Sequence, residues 1–254
     1  MTKLVKMEWY KLRTTKMFII LAAITFGLNL AFAAVVPLIM KMISSIAEPV
    51  ALTNAIANPF YFSLLMIPMY ISAISFLYAD FAGGYIKNYA GQVGSRGRIV
   101  ASKFIVLGIH NLIFFILGSL SSALGAAIAG TLVFDGNVLA GIGTMLLKWL
   151  LSLAISSILM FLAVGIKNKT LATIVGVIFA TGALNLAYMG ISTGVMNIFK
   201  LEEFVLSNYL PDGLISTVNV DTNTLVLNAI LVGLIFIAAF VTLTYFTFKK
   251  RDIK

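Results

Sequence analysis

Residues 104–133 read FIVLGIHNLIFFILGSLSSALGAAIAGTLV and contain no Asp, Glu, Lys or Arg. An apolar helix crosses the hydrocarbon core of a bilayer in about 20 residues, so this stretch predicts a membrane-spanning helix. The composition of the whole chain agrees, because 61% of its 254 residues are apolar and only 11% are charged. Soluble domains carry about 45–50% apolar and about 25% charged residues. The sequence therefore excludes a soluble globular protein.

Five further apolar runs accompany this one, at residues 17–40, 59–79, 140–166, 171–196 and 225–248. We therefore expect an all-α, polytopic membrane protein with six transmembrane helices in a single transmembrane domain, 1–254. Six spans place both termini on the same side of the membrane. The first run follows a basic segment that is too long for a cleaved signal peptide, which indicates a retained span. Pro68 lies inside the second run and predicts a kink there.

The basic residues fall mostly on one side of this topology. The N-terminal segment, the loops 80–103 and 167–169 and the C-terminal tail together hold 15 of the 18 Lys and Arg residues. The opposite side has Lys41 and Lys200 against six acids. Under the positive-inside rule the basic side, with both termini, is cytoplasmic. Topology and contact with anionic lipids then explain the net charge of +9, and no nucleic acid partner is needed.

The sequence has no motif for catalysis or metal binding. It contains no Cys, a single His, no G-x-x-x-x-G-K-[ST] phosphate loop, no H-E-x-x-H and no cytoplasmic carboxylate cluster that could hold Mg²⁺. We therefore expect this chain to be no enzyme and to hold no metal or cofactor of its own.

Two ionisable residues fall within the apolar runs, where such groups often mark an ion or proton path. We expect Lys148 to snorkel to the outer interface beside Trp149. For His110 we expect a hydrogen-bonded histidine near the cytoplasmic interface, rather than a proton relay. No Asp or Glu lies in any of the six runs, which disfavours a proton- or sodium-driven carrier.

Small residues at intervals of four indicate where helices approach closely, because lipid-embedded helices associate through such positions. We expect these stripes to pack within one bundle, with a subunit seam or a substrate-facing seam as the alternative. The stripes are Ala23, Gly27 and Ala31 in the first span, Gly118, Ser122, Ala126 and Gly130 in the third, and Ala172, Gly176 and Ala180 in the fifth.

The most informative segment is the loop 80–103, DFAGGYIKNYAGQVGSRGRIVASK. It combines a short amphipathic stretch around Phe81, Tyr85, Ile86 and Tyr89 with glycines and four cations. Such a segment is too polar to enter lipid and too apolar to extend into water. It either docks on another protein or lies on the membrane surface, and the residues alone leave both possibilities open.

The loop resembles the signature of ABC-2 type permeases, and so does the start of the chain. The matching loop positions are Asp80, Gly84, Ile86-Lys87-Asn88, Gly91, Ser95-Arg96 and Ser102-Lys103, and the matching start is Glu8-Trp9-Tyr10-Lys11-Leu12-Arg13. Within the family the chain looks most like bacterial permeases for antimicrobial-peptide immunity and for export of phenol-soluble modulins.

The resemblance implies the ABC-2 (type V exporter) fold in a bacterial cell membrane. Two six-span permeases, identical or different, would pair and bind two separate ATPase subunits, which hold ATP and Mg²⁺. Residues 1–16 would form an interfacial helix, and 197–223 would form an extracellular re-entrant loop. The coupling helix would lie in the loop 80–103. The residues implied are Asp80, Gly84, Tyr85, Ile86, Lys87, Asn88 and Arg96 for ATPase coupling, and Trp9, Tyr10, Lys11 and Arg13 for the interfacial helix.

An alternative for the loop is structural. Asp80 would cap a helix start, while Lys87 and Arg96 bind lipid phosphates.

The function expected from this resemblance is export of amphipathic or hydrophobic peptides by a permease subunit. The alternatives are a sodium or drug efflux permease of the same family, an ATPase-independent secondary carrier or a structural assembly factor. An intramembrane enzyme ranks last, because no nucleophile and base pair can be named.

Overall fold

The computed structural model describes residues 1–44, 49–82, 96–166, 168–200 and 203–250. Within these ranges the chain forms ten α-helices, one parallel pair of two-residue strands and two short 3-10 turns, Ser63–Met66 and Leu206–Tyr209. The helices are α1 (Thr2–Thr14), α2 (Lys16–Ser44), α3 (Leu52–Ala57), α4 (Ile67–Ala82), α5 (Arg96–Ile128), α6 (Val138–Ile166), α7 (Lys169–Thr181), α8 (Leu184–Phe199), α9 (Pro211–Thr217) and α10 (Val226–Lys250); the strands are β1 (Val50–Ala51) and β2 (Leu132–Val133). The expected all-α architecture is therefore confirmed.

Four of the described helices are long and apolar enough to span a membrane: Lys16–Ile43, Gly97–Ile128, Val138–Gly165 and Val226–Lys250. The fifth predicted span is a pair, α7 and α8, bent by 70°. Asn168 caps the start of α7, and Gly182 ends it in the left-handed region at a φ of 68°. The described residues thus give four candidate spans, or five if the bent pair counts as one, and six spans stay a prediction.

The second predicted span, 59–79, is interrupted. Residues 58–62 lie outside any helix between α3 and the first 3-10 turn, and the apolar helix that follows, Ser63–Ala79, is short for a span. The kink predicted at Pro68 is wrong, because Pro68 is the second residue of α4, where proline is tolerated in the first turn. The proline inside a long helix is Pro37 of α2.

Asn29 of α2 holds this interruption in place. Its side-chain oxygen accepts a hydrogen bond from the backbone N–H of Tyr61 at 2.7 Å. Its amide nitrogen lies 3.0 Å from the carbonyl oxygen of Pro59 and 2.9 Å from that of Gly118 in α5. Asn29 is fully buried, so one amide satisfies backbone groups that hydrocarbon would leave without partners.

The bundle has two distinguishable ends. The C-terminal part of α10 reaches the same end as α1, since Phe248 and Lys103 border one small cavity and Lys103 contacts α1. We call this the basic end. The opposite end, which carries the strand pair and α9, we call the acidic end. There α9 packs into the bundle, with Leu214 fully buried in one cluster with Leu151 of α6 and Ala229 of α10.

The segment 197–223 was expected to re-enter the membrane from outside. Its described part contains the end of α8, the turn Leu206–Tyr209 and α9. Gly213 lies so close to this turn that a Cβ would meet the carbonyl oxygen of Ser207 at 2.4 Å. The two short helical pieces therefore form one compact unit, whose depth relative to the membrane remains a prediction.

The stripe in the fifth span packs inside the chain as expected, and so does the stripe in the third span as far as Ala126, whereas its last residue, Gly130, is exposed. A Cβ on Gly118 would lie 2.3 Å from the carbonyl oxygen of Pro59, and one on Gly125 would lie 2.5 Å from the Cβ of Ala33. Gly176 is likewise packed against Ile74 of α4. The stripe in the first span does not pack inside the single chain. Ala23, Gly27 and Ala31 are exposed, and a Cβ on Gly27 would meet nothing within 4 Å.

These contacts predict different outcomes for two glycines in long helices. Gly118→Ala should destabilise the chain by about 1–3 kcal/mol, because the new methyl group collides with backbone that Asn29 fixes. Gly27→Ala is the matched control and should be neutral or slightly stabilising, since alanine favours helices. Thermal unfolding of the purified chain in detergent measures both. Equal melting temperatures for the two variants would contradict the packing described for Gly118.

Candidate functional site

The basic end is the part of the bundle where the sequence predicts coupling to a partner. It consists of α1, the last turns of α4 and the first turns of α5. The loop predicted to dock on another protein joins α4 to α5, so both of its ends arise here. The described side chains therefore show what holds the two ends of that loop.

Helix α1 is amphipathic and lies against the bundle through one face. Leu12 is fully buried, and Val5 and Trp9 pack against the main hydrophobic core. Tyr10 is 60% exposed, and Arg13 is exposed with its guanidinium carbon 5.9 Å from the Tyr10 ring centroid. Of the predicted interfacial residues, Trp9 thus faces the bundle, whereas Tyr10 and Arg13 face away from it.

A buried ion pair joins α1 to α5. The carboxylate of Glu8 lies 3.2 Å from the Nζ of Lys103, and the two side chains are only 1% and 5% exposed. Lys11, the fourth predicted interfacial residue, lies 3.7 Å from the same carboxylate and is partly exposed. Burying a charge is costly unless it is paired, so Glu8 and Lys103 depend on each other. The pair fixes α1 at one register on α5.

Lys103 also reaches α4. Its Nζ lies 5.2 Å from the ring centroid of Phe76, within the range of a cation–π contact. Phe76 precedes the loop by four residues and Lys103 ends it, so one ammonium group connects α1 with both helices that carry the loop. The cavity beside Lys103 has a volume of about 10 Å³, room for about one water molecule, and it is too small for a substrate.

The predicted coupling residues themselves are described only in part. Gly84, Tyr85, Ile86, Lys87 and Asn88 lie outside the described residues. Asp80 lies in the last turn of α4 and Arg96 is the first residue of α5, but their side chains are not among those described. Their assignment to coupling therefore remains a prediction.

Sequence reasoning missed the Glu8–Lys103 pair, because both residues were counted as solvated charges of cytoplasmic segments. A signal was nevertheless present. Glu8 is the only acid among the first 79 residues apart from Glu48, and it occupies the face of α1 that also carries Val5 and Leu12. An acid at a core-facing position of an otherwise basic helix indicates a buried cationic partner.

Deeper in the bundle, a layer of neutral polar groups joins α4, α5 and α6. The ring nitrogens of His110 lie 3.0 Å from Ser72 and 3.0 Å from the side-chain oxygen of Asn111. Asn111 in turn donates to Ser152 and Ser156 of α6. The expected hydrogen-bonded histidine is confirmed, but its expected place at the interface is not, because His110 is fully buried and about 21 Å along α5 from Arg96.

The acidic end has its own polar contacts. Tyr188 of α8 donates to the carboxylate of Asp212 at 2.9 Å, and burial raises the pKa of that carboxyl, partly offset by this bond. Asp135 accepts from the backbone N–H of Thr53. Its hydrogen bonds with Thr53 lower the pKa of Asp135. Within the described ranges, no three His, Asp or Glu side chains come close enough to hold a metal ion.

Lys148 lies inside the bundle. It is 6% exposed, and its Nζ lies 2.6 Å from the side-chain oxygen of Asn58, which is exposed. Its predicted snorkelling toward the outer interface stays a prediction.

Comparison with known families identifies the family of the chain. A model described as ABC-2 family transporter protein matches residues 4–183 of the chain, which is well over half of its length. The chain belongs to the ABC-2 transporter family. No curated protein and no solved structure matched it significantly. As an ABC-2 permease, the chain is a multi-pass membrane subunit that works with ATPase subunits and is not itself the ATPase.

The match extends from α1 to the end of α7, so Glu8, Phe76 and Lys103 all lie in the region that defines the ABC-2 permease. The contacts of Lys103 with Glu8 and Phe76, which we call the interlock, thus lie within the residues that the family model matches. The finer expectations on cargo, on the type of exporter and on the second permease chain go beyond this match.

A double-mutant cycle tests the interlock. Glu8→Gln should destabilise this ABC-2 permease by about 3–5 kcal/mol, because it removes the carboxylate that lies 3.2 Å from the buried Lys103 ammonium. Lys103→Met should cost less, because Lys11 still lies 3.7 Å from the Glu8 carboxylate. The double variant should lose clearly less than the sum of the two, since the interaction between the two side chains is counted in both single variants. Thermal unfolding in detergent gives the three values.

Lys16→Met provides the control, because Lys16 is an exposed lysine at the same end of the bundle. It should leave the unfolding temperature unchanged. Strictly additive losses in the double variant would show that Glu8 and Lys103 act independently.

Proposed function

We propose that the chain is the permease subunit of a bacterial ATP-driven exporter that moves amphipathic or hydrophobic peptides out of the cell or the membrane. In this proposal two permease chains, identical or different, pair in the cytoplasmic membrane. Two separate ATPase subunits bind ATP and Mg²⁺ and supply the energy. The basic end of the bundle, with both termini, faces the cytoplasm, in agreement with the positive-inside rule.

The observation that carries the proposal is the buried contact of Glu8 with Lys103 beside Phe76. It ties α1 to both helices that carry the loop 80–103, so a force on the loop is transmitted to α1 and to the bundle together. A loop that merely rested on the membrane surface would not need such a connection. In this proposal the coupling helix that the resemblance implies lies at residues 84–88, between Asp80 in the last turn of α4 and Arg96 at the start of α5.

The cargo is inferred from what the apolar runs lack. The six runs hold no Asp or Glu, and Lys148 is their only Lys or Arg. A small cation would require oxygen ligands or carboxylates along its path. An amphipathic or hydrophobic peptide requires none, and it can enter from the membrane. We therefore favour a peptide over sodium, with drug efflux as the nearest rival.

Site-directed cross-linking tests the coupling. The chain has no native cysteine, so single cysteines in place of Ile86 and Lys87 can be cross-linked in the complex purified with its ATPase. We expect both to form a covalent adduct with the ATPase. A cysteine in place of Tyr10, which is exposed on α1, reports whether the interfacial helix is also near the ATPase. Adducts with lipid probes and none with the ATPase would support the membrane-surface alternative.

Uncoupling variants complete this test. Asp80→Ala and Arg96→Ala should leave the complex assembled but abolish the stimulation of transport by ATP hydrolysis. Unchanged transport in both variants would contradict their assignment to coupling.

Reconstitution tests the cargo. In proteoliposomes that contain the permease and its co-purified ATPase, an amphipathic helical peptide should stimulate ATP hydrolysis several-fold. A peptide of identical composition but scrambled order, without an apolar face, is the matched control and should not. Stimulation by sodium ions or by small drugs alone would favour the rival function.

A further inference from the structure

Tyr78 connects the start of the loop 80–103 to the neighbouring loop 167–169. It lies in α4, two residues before Asp80, and is 5% exposed. Its hydroxyl group donates a hydrogen bond of 2.8 Å to the backbone carbonyl oxygen of Asn168. A buried phenol hydroxyl needs such a partner, because burial removes its water. The bond therefore holds the end of α4 against the start of α7.

Asn168 is the residue that caps the start of α7. Its side-chain oxygen accepts hydrogen bonds from the backbone N–H groups of Thr170 and Leu171. Its carbonyl oxygen also accepts from the backbone N–H of Ala172 at 3.2 Å. The Tyr78 hydroxyl thus binds an oxygen that already belongs to the first turn of α7. A displacement of Tyr78 therefore acts on the backbone of this helix.

Close packing joins α4 to α7 beyond this bond. The buried face of α7 consists of Ala172, Gly176 and Ala180. A Cβ on Gly176 would lie 2.9 Å from the Cδ1 of Ile74 and 3.4 Å from the Cβ of Tyr70, both in α4. Contacts packed as closely as this transmit displacement, because a protein interior is only slightly compressible. Movement at the end of α4 is thus passed to α7.

Helix α8 continues the connection toward the acidic end. It follows α7 after a bend of 70°. The hydroxyl of Ser192 in α8 accepts a hydrogen bond from the backbone N–H of Leu206 at 2.9 Å, and Tyr188 donates to Asp212 at 2.9 Å. Leu206 begins the second 3-10 turn and Asp212 lies in α9. Helix α8 is therefore bonded to both parts of the compact unit at this end.

The two ends of the loop 80–103 have different attachments. Its last residue, Lys103, is paired with Glu8 of α1, whereas its start is attached through Tyr78 to α7. Coupling between distant sites is carried by hydrogen bonds, packed side chains and rigid helices, and the connection through Tyr78 contains all three. Loss of the Tyr78 bond should therefore affect α7 and α8 and spare α1.

We propose that Tyr78 is a positioning residue for transport, which transmits the movement of the loop 80–103 to α7 and, through α8, to the unit formed by Leu206–Tyr209 and α9. This inference rests on the proposed function, because it assigns a route within the permease to the force that the ATPase supplies. The contact of Glu8 with Lys103 transmits the same movement separately to α1.

Fluorescent labels on single cysteines test this route in the complex purified with its ATPase. One cysteine replaces Ile198, which is 76% exposed on α8, and another replaces Tyr10, which is 60% exposed on α1. Each carries an environment-sensitive fluorophore. With Tyr78 present, a non-hydrolysable ATP analogue with Mg²⁺ should change the emission of both labels. Tyr78→Phe should remove most of the change at position 198 and retain the change at position 10.

Tyr78→Phe should also uncouple transport from ATP hydrolysis. The variant keeps the ring, so we expect it to fold and to co-purify with the ATPase. Transport per ATP hydrolysed should fall by about two- to tenfold, which corresponds to the loss of one neutral hydrogen bond. Tyr245→Phe is the matched control, because Tyr245 is a partly exposed tyrosine in the last turns of α10 at the same end. It should behave like the wild type.

The outcomes separate this inference from the proposed function. An ATP analogue that changes neither label when Tyr78 is present would contradict an ATP-driven permease, and the inference would fail with it. A change at position 10 without one at position 198 would overturn the route through α8 and leave the proposed function intact. A change at position 198 that persists in Tyr78→Phe, with only a lower unfolding temperature, would show that the bond stabilises the fold alone and would overturn the inference.

Discussion

Polar groups buried in a membrane must find partners within the protein, because hydrocarbon offers none. In this permease α5 provides those partners to five other helices. Its polar contacts are Lys103 with Glu8 of α1, His110 with Ser72 of α4, Asn111 with Ser152 and Ser156 of α6, Ser119 with the carbonyl of Ile56 in α3, and Gly118, Ser121 and Ser122 with Asn29 of α2. Helices in lipid associate through close packing and hydrogen bonds, since apolar burial provides no hydrophobic driving force between them. The bonds along α5 therefore add direction to the packing of these five helices around it.

The same arrangement connects the two ends of the bundle. Helix α5 has 33 residues and is about 50 Å long. At the basic end it is fixed to α1, and near the acidic end it is bonded through Asn29 to the segment 58–62. Residues 59–62 of that segment lie outside the described helices, and Asn29 binds the backbone of Pro59 and Tyr61. The contacts of α5 thus connect the basic end with the irregular segment.

The sequence predicted the long apolar helices because length and hydropathy suffice to identify them. It did not predict the interruption at 58–62, since Asn58 and Pro59 look like an ordinary helix start and the partner that stabilises the open backbone, Asn29, is distant in the chain. The loop 80–103 was predicted to couple to a partner from its motif, whereas Glu8 and Lys103 were counted only as charges of the basic side and as motif positions. The position of Glu8 on the core-facing side of α1 indicates a buried cationic partner, but only the tertiary contact between α1 and α5 identifies that partner as Lys103.

The two buried lysines of the described structure show how charge is distributed between the ends. Lys103 has a counter-ion in α1, so its charge is balanced within the described helices. Lys148 contacts an amide, the side-chain oxygen of Asn58 at 2.6 Å, and no described carboxylate lies within 4.0 Å of it. An amide compensates for the lost hydration of an ammonium group less than a carboxylate does. The compensated charge therefore lies at the end of the bundle that carries the loop 80–103, and the less compensated charge lies toward the acidic end.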